Sequence, residues 1–170
     1  MKNIGLILIA LLALAAGGLT RYLFKSPQQA VLVLPAFSLP DTASVIRDSA
    51  EWQGTVRLIN FWATWCPPCK KELPLLMALH NTYAANGLVV LGIALDDSVS
   101  VMNFLASTPI SYPLLLGEQS GITLARQLGN RVDVVPFTVI VDKQNHIIYQ
   151  HQGELTKNDV VSVLQPLLEK

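Results

Sequence analysis

The sequence predicts an α/β fold in which helices flank a central sheet of mixed direction. Three apolar, β-branched segments without a helix or strand breaker have the composition of buried strands: 55–63, 88–96 and 134–142. Helical patterns separate these strands, and a turn at 143–146 leads into a further strand at 147–151. Alternation of strands with helices favours parallel pairing, whereas the final hairpin adds antiparallel pairing, so one sheet should contain both directions.

The remaining elements follow from local signals along the chain. Two short strands around a turn at Pro40 and Asp41 predict an N-terminal β-hairpin. The helix predicted over 67–86 has prolines in its first turn, where a missing N–H is tolerated, and Gly87 at its end. The other predicted elements are a helix over 98–107, a strand within 112–117, a helix over 122–128 and a terminal helix over 158–168.

The N-terminal segment has the character of a membrane anchor or a signal peptide. Residues 4–20 are uncharged, and with the apolar residues that follow Arg21 the stretch approaches the roughly 20 residues that a spanning helix needs. Small residues at 13–15 would suit signal cleavage, but apolar character continues past them, which favours a retained anchor. Either alternative exports the domain to a compartment where disulfides persist. The predicted organisation is an anchor or signal at 1–25, a linker at 26–34 and one domain at 35–170.

The charge balance and the cysteine spacing argue against two roles, nucleic-acid binding and a purely structural disulfide. Twelve basic and twelve acidic side chains give no net charge, and without a run of one sign there is no electrostatic footprint for nucleic acid. A chain of 170 residues can bury a core without disulfides. The two cysteines, Cys66 and Cys69, enclose two residues, and so short a loop constrains the unfolded chain very little. A purely structural disulfide is therefore disfavoured.

The cysteines lie in the segment WCPPC at 65–69, where a buried strand meets a helix. The positive end of the helix dipole stabilises a thiolate at Cys66, which we expect to be the attacking nucleophile. Cys69, nearly one turn later, can then resolve a mixed disulfide. Too few further ligands surround the pair for zinc, and Lys70 stands where haem attachment requires histidine, so no metal is expected. A copper-handling module that uses both thiolates stays open as an alternative, as does a disulfide oxidase or isomerase.

The segment NFWATWCPPCKKELP at 60–74, together with VVPFTVIVD at 134–142, resembles the thioredoxin-fold family and, within it, the TlpA-like periplasmic thiol-disulfide reductases. The resemblance covers roughly 37–168, and the hairpin and the anchor fit it. About 40 residues lie between the strand that ends near Asp96 and the second motif, which leaves room for the central β/α insertion of TlpA-like proteins.

The resemblance implies a thioredoxin-like fold and a redox-active disulfide as the only redox group, without another cofactor. It implies disulfide-containing periplasmic client proteins as substrates and a transmembrane thiol-disulfide carrier as electron donor. The protein would then be held at the bacterial inner membrane with its domain facing the periplasm, or be periplasmic if the signal is cleaved.

Several residues take roles from this resemblance. Pro136 matches the proline that the family holds in a cis peptide bond facing the cysteines, although Val134 stands where relatives often carry glycine. The backbone of Val135 would pair with an extended substrate strand. We expect Trp65 and Pro67, which flank Cys66, to contribute to substrate binding together with Val135 and Pro136.

Glu72 is the third predicted catalytic residue. Thioredoxins proper carry aspartate on the central strand beneath the cysteines, whereas this chain has Asn60, which cannot transfer a proton. Glu72 lies three residues after Cys69 on the same helical face. This arrangement resembles that of TlpA-like proteins, which use such a glutamate near the active site. Burial would raise the pKa of Glu72 and enable it to accept a proton from Cys69.

The two prolines between the cysteines predict the direction of the chemistry. Neither Pro67 nor Pro68 has an N–H to donate to a Cys66 thiolate, so the reduced form is less stabilised and the reduction potential is lower. We therefore expect a reductant of client disulfides. An apocytochrome awaiting haem and an oxidase copper-site protein are the client classes considered, although the acidic residue expected just before Pro136 in dedicated cytochrome-maturation reductases is missing.

Overall fold

The computed structural model describes residues 32–169 as a five-stranded mixed sheet with helices on both faces and a separate two-stranded hairpin. The elements in chain order are β1 (Ser38–Pro40), β2 (Ile46–Asp48), β3 (Val56–Trp62), α1 (Pro67–Tyr83), β4 (Leu88–Ala94), α2 (Ser98–Ser107), β5 (Leu114–Leu116), α3 (Glu118–Gln127), β6 (Phe137–Val141), β7 (Ile147–Gln152) and α4 (Lys157–Leu168). Short 3-10 helices occupy Ser49–Trp52 and Ala84–Asn86. The predicted α/β thioredoxin-like fold and its N-terminal β-hairpin are confirmed.

The strand order is β5-β4-β3-β6-β7, with β3 at the centre. Strands β3, β4 and β5 are parallel, whereas β6 runs antiparallel to both β3 and β7. Every residue of β3 is buried because neighbouring strands cover its edges and helices cover both of its faces. The α2, β5 and α3 elements lie between β4 and β6, and β5 extends the sheet beyond β4, which confirms the predicted central insertion.

Alternation along β3 divides the core into two halves. Leu58 and Trp62 belong to the half that contains both cysteines and the buried side chains of α1 and α4. Ile59 and Phe61 belong to the other half, with the buried side chains of α3 and the region of the hairpin. The cysteine pair is therefore supported from below by packed apolar side chains rather than held on a mobile loop.

Some boundaries differ from those predicted from sequence. The strand predicted from residue 134 begins only at Phe137, because Pro136 has no N–H for a ladder hydrogen bond and the chain before it follows a loop. The helix predicted from residue 122 begins four residues earlier, at Glu118. Residues 32–34, assigned to the linker, pair with the start of β7: Leu32 accepts a hydrogen bond from Ile147 at 2.7 Å, and Leu34 donates one to Asn145 at 3.0 Å.

The predicted anchor or signal at 1–25 lies outside the described residues, as does most of the linker. Across 32–169, no helix combines the length and the apolar composition that crossing a membrane requires.

Candidate active site

The turn between β3 and α1 is fixed by a residue that follows the neighbouring parallel strand. Asp96, just beyond β4, accepts hydrogen bonds from the Thr64 backbone N–H at 2.8 Å and from the Thr64 hydroxyl. Because β3 and β4 are parallel, their carboxyl ends lie side by side, which brings Asp96 to the turn. This role was not predicted from the sequence, although an acid directly after a strand parallel to the cysteine-bearing one is a usable signal.

Cys66 and Cys69 form a disulfide with their Cα atoms 5.3 Å apart. Cys66 is the N-cap residue of α1, and its Sγ accepts a hydrogen bond from the backbone N–H of Cys69 at 3.2 Å. The intervening Pro67 and Pro68 occupy the first helical positions and have no N–H. Cys69 is thus the first residue after Cys66 that can donate to its sulfur from the backbone, and it does so.

Glu72 lies on the buried face of α1, with only 2% of its surface exposed. Its Oε1 accepts a hydrogen bond from Asn60 Nδ2 at 2.7 Å, and its Oε2 accepts one from the Leu155 backbone N–H at 2.9 Å. Burial raises the pKa of Glu72 to about 7, although the hydrogen bonds from Leu155 and Asn60 oppose this rise, and the nearby charge of Glu154 adds to it. A solvated carboxylate at this position is therefore excluded.

Asn60 links Glu72 to the neighbouring strand. Its Nδ2 donates to Glu72 and also to the Thr138 hydroxyl at 2.9 Å, and Thr138 is its partner in the β3–β6 register. Asn60 Oδ1 is buried without a hydrogen-bond partner in the part of the chain that the structure describes. Thr138 was not predicted from the sequence as part of this network, because strand register is decided by long-range packing.

Tyr112, which precedes β5, is a further buried polar side chain near Glu72. Its hydroxyl has no hydrogen-bond partner among residues 32–169. Burial raises the pKa of the Tyr112 phenol well above its usual value, and the charge of Glu72 raises it further. Tyr112 is therefore a neutral neighbour of Glu72 rather than a source of charge.

Only two of the four predicted substrate-binding residues, Trp65 and Val135, line a common cleft. Trp65 is 67% exposed, and it lines a cleft of about 150 Å³ together with Val135, which packs against the core half that holds both cysteines. The structure thus brings Trp65 and Val135 together across the sequence. The Val135–Pro136 peptide is cis and Pro136 is buried. Pro67 is exposed at the start of α1 and does not line this cleft.

The chemistry of this cleft is largely apolar. Leu95, Ile122 and Ala125 contribute apolar side chains to its lining. The charged lining residues, Arg126 and Asp133, form an ion pair with Nε and Oδ1 2.7 Å apart. Since those charges neutralise each other, the cleft suits an uncharged side chain. Within 32–169, no three side chains of histidine, cysteine, aspartate or glutamate come close enough together to hold a metal ion.

Comparison with known proteins extends the similarity over most of the chain. The family model described as Redoxin matches residues 30–166, which include both cysteines. The thiol-disulfide oxidoreductase ResA of Geobacillus kaustophilus is 29% identical over 164 residues, covering 94% of this chain and 92% of that protein. ResA of Bacillus subtilis is 26% identical over 138 residues, covering 78% of this chain and 74% of that protein.

Solved structures are similar over the same region. A thiol:disulfide interchange protein of the thioredoxin family from Chlorobium tepidum has a TM-score of 0.74 at 24% identity, covering 84% of this chain and 99% of that chain. A secreted thiol-disulfide isomerase from Corynebacterium glutamicum has a TM-score of 0.72 at 25% identity, covering 86% of this chain and 97% of that chain. These structures share the fold over nearly their whole length.

Proposed function

Because the chain belongs to the Redoxin family of thioredoxin-fold thiol-disulfide oxidoreductases, we propose that it reduces disulfides in exported client proteins through the Cys66–Cys69 dithiol. The observation that carries the direction is that, within residues 32–169, the Cys66 sulfur has one backbone donor, the Cys69 N–H. Donors to a thiolate stabilise the reduced form, so a sulfur with few donors belongs to a more reducing pair.

The reaction consists of two exchanges. The Cys66 thiolate attacks one sulfur of a client disulfide, which breaks the client S–S bond, forms a mixed disulfide and releases the other client sulfur as a thiolate. The Cys69 thiolate then attacks Cys66 Sγ, which closes the Cys66–Cys69 disulfide and releases the second client thiolate. The client gains two electrons, and the protein loses two.

Glu72 supports the second exchange by accepting the proton of the Cys69 thiol. It follows Cys69 by three residues on the buried face of α1, a spacing that places Cβ atoms on the order of 5–6 Å apart. A general base is most effective when its pKa lies near the working pH, and the pKa of Glu72 is about 7. Its two hydrogen-bond donors hold the carboxylate in place without neutralising it.

Client binding uses the cleft beside Cys66. An extended client segment would pair with the Val135 backbone and place an uncharged side chain in the cleft between Val135 and Trp65. Pro136, which is buried, would support Val135 at this position, and the exposed Pro67 would contact the client outside the cleft.

Each turnover leaves the protein oxidised, so a reductase outside the cytoplasm needs an electron supply. We propose that a transmembrane thiol-disulfide carrier supplies these electrons and that the N-terminal segment holds the protein at the inner membrane, with the domain in the periplasm. N-terminal sequencing of membrane and soluble fractions tests the location. A soluble species that starts near Ala16 would show a cleaved signal instead.

The reduction potential tests the proposed direction. We expect a value near that of thioredoxin, about −270 mV, and well below that of the oxidant DsbA, about −120 mV. Equilibration of the purified protein with defined ratios of reduced and oxidised dithiothreitol, followed by thiol alkylation, measures it. A potential above about −180 mV, the value of protein disulfide isomerase, would refute the reductase direction and favour an oxidase or isomerase.

Trapping tests the roles of the two cysteines. Cys69→Ser should accumulate mixed disulfides because the resolving thiol is lost, whereas Cys66→Ser should accumulate none. Two disulfide-bonded peptides, one with the sequence pattern of an apocytochrome haem site and one with that of an oxidase copper site, would show which client class is trapped faster. Equal trapping by both variants would contradict the assignment of Cys66 as the nucleophile.

A further inference from the structure

One side chain holds both backbone polar groups of the residue before the client-pairing position. Asn130 is 1% exposed. Its Nδ2 donates to the Val134 carbonyl at 2.8 Å, and its Oδ1 accepts from the Val134 N–H at 3.0 Å. The Asn130 side-chain amide thus pairs with the Val134 backbone through one donated and one accepted hydrogen bond, as the backbone of a neighbouring strand would. The Val134 N–H is therefore unavailable to a client, and the Val134 carbonyl already has a donor.

The loop around Asn130 is anchored to two secondary-structure elements. The Asn130 N–H donates to the Ala125 carbonyl of α3 at 2.9 Å. Gln150 of β7 donates from Nε2 to the Leu128 carbonyl at 2.6 Å. The ion pair described above joins α3 to Asp133, whose backbone is left-handed with φ 53°. These contacts with α3 and β7 fix the position of Asn130. Its two hydrogen bonds to Val134 therefore determine the path of the chain into Val135.

Val135 is left as the available pairing residue. Neither its N–H nor its carbonyl is hydrogen-bonded to any of the residues 32–169. The next residue, Pro136, has no N–H, and its carbonyl accepts from the Gly153 N–H at 2.8 Å. A strand that docks here therefore finds one free donor and one free acceptor, both on Val135.

We propose that Asn130 is a positioning residue that sets the register of the bound client strand by occupying the backbone of Val134. This inference rests on the proposed function. A slip of one residue moves a strand by about 3.3 Å and turns its side chains to the opposite face. With Val134 free, a client could pair one residue out of register, and its disulfide would face away from Cys66. With Val134 occupied, the in-register pairing at Val135 is the one that remains.

The test compares Asn130→Asp with Asn145→Asp. Each substitution keeps the side-chain shape and removes an amide donor to a backbone carbonyl, that of Val134 in the first case and that of Leu34, at 2.9 Å, in the second. A disulfide-bonded peptide serves as the pairing substrate, and bis(2-hydroxyethyl) disulfide, which has no peptide backbone, serves as a small disulfide that cannot form an extended strand pairing. Urea unfolding of both variants checks that the domain is folded.

Asn130→Asp should raise KM for the peptide on the order of 10-fold, while kcat and the rate with bis(2-hydroxyethyl) disulfide stay within about 2-fold of wild type. Asn145→Asp should change neither substrate. An unchanged peptide KM in Asn130→Asp, or an equal loss with both disulfides, overturns the proposal. The peptide reaction of the wild type separately tests the proposed function, because its failure would appear without any variant.

A second measurement needs no substitution in the protein. Three peptides carry a single backbone N-methyl group, at the reactive cysteine or at either of its neighbours, and mixed-disulfide formation is measured in the Cys69→Ser protein. A fixed register makes one position far more sensitive than the others. Equal rates for all three peptides would overturn the proposal.

Discussion

Replacement of Glu72 by glutamine removes the proposed proton acceptor and keeps the shape of the side chain. The variant network can re-pair within the same space: rotation of the Asn60 amide would bring its unpartnered Oδ1 to the new Gln amide, and the Thr138 hydroxyl would donate instead of accepting. Leu155 would still donate to the remaining side-chain oxygen. We therefore expect Glu72→Gln to fold normally.

The pH dependence of stability gives the magnitude of the electrostatic effect. The pKa of Glu72 rises from 4.5 to about 7 in the folded protein, and each pKa unit corresponds to about 1.36 kcal/mol. Below pH 4.5 the carboxyl is protonated in both states and the full stability is present. Between 4.5 and 7 the unfolded chain releases a proton that the folded protein retains, so wild-type stability falls by about 3 kcal/mol relative to Glu72→Gln as pH rises.

Urea unfolding of both proteins in the oxidised state, from pH 4 to pH 8, measures this difference. In parallel, stopped-flow tryptophan fluorescence follows exchange with a client peptide over the same pH range. A general base contributes about 10²-fold or more, so near pH 7 the variant should resolve mixed disulfides more slowly by about that factor. Equal exchange rates with the same pH profile in both proteins would refute the role of Glu72, and parallel stability curves would refute its raised pKa.

Three further predictions concern residues near the disulfide. Pro68→Ala adds an N–H in the first turn of α1 that can donate to the Cys66 thiolate, and a hydrogen bond to a charged group is worth about 1.5–3 kcal/mol. The reduction potential should therefore rise by roughly 30–60 mV in dithiothreitol equilibration. An unchanged potential would show that the prolines do not set it. Asp96→Ala leaves the Thr64 N–H without its acceptor and should lower the free energy of unfolding by about 1–3 kcal/mol; a loss in urea unfolding below about 0.5 kcal/mol would mean that the turn is held by other contacts. Tyr112→Phe removes a buried hydroxyl that has no partner in the described domain, so the unfolding free energy of the variant should equal or exceed that of wild type. A loss above about 1 kcal/mol would indicate that the Tyr112 hydroxyl does form a hydrogen bond in the folded protein.

The sequence by itself determined the sheet and the chemistry of the cysteines. Local composition predicted the buried strands around Leu58, Val90 and Val139, because a strand covered on both faces must be apolar throughout. The two cysteines at a strand-to-helix junction predicted the redox site, because a helix N-terminus stabilises a thiolate wherever the helix lies in the fold. The spacing of Glu72 from Cys69 predicted a shared helical face for the same local reason.

The tertiary structure decided how distant residues complete the site. Burial of Glu72 depends on Asn60 in β3 and on the Leu155 backbone before α4, and no local pattern specifies that these segments meet. Asp96 reaches Thr64 through the pairing of parallel strands, and Asn130 holds Val134 through the path of a loop. Local propensity acts over a few neighbouring residues, whereas register and loop path are set by the packing of the whole domain, and only the folded chain contains that information.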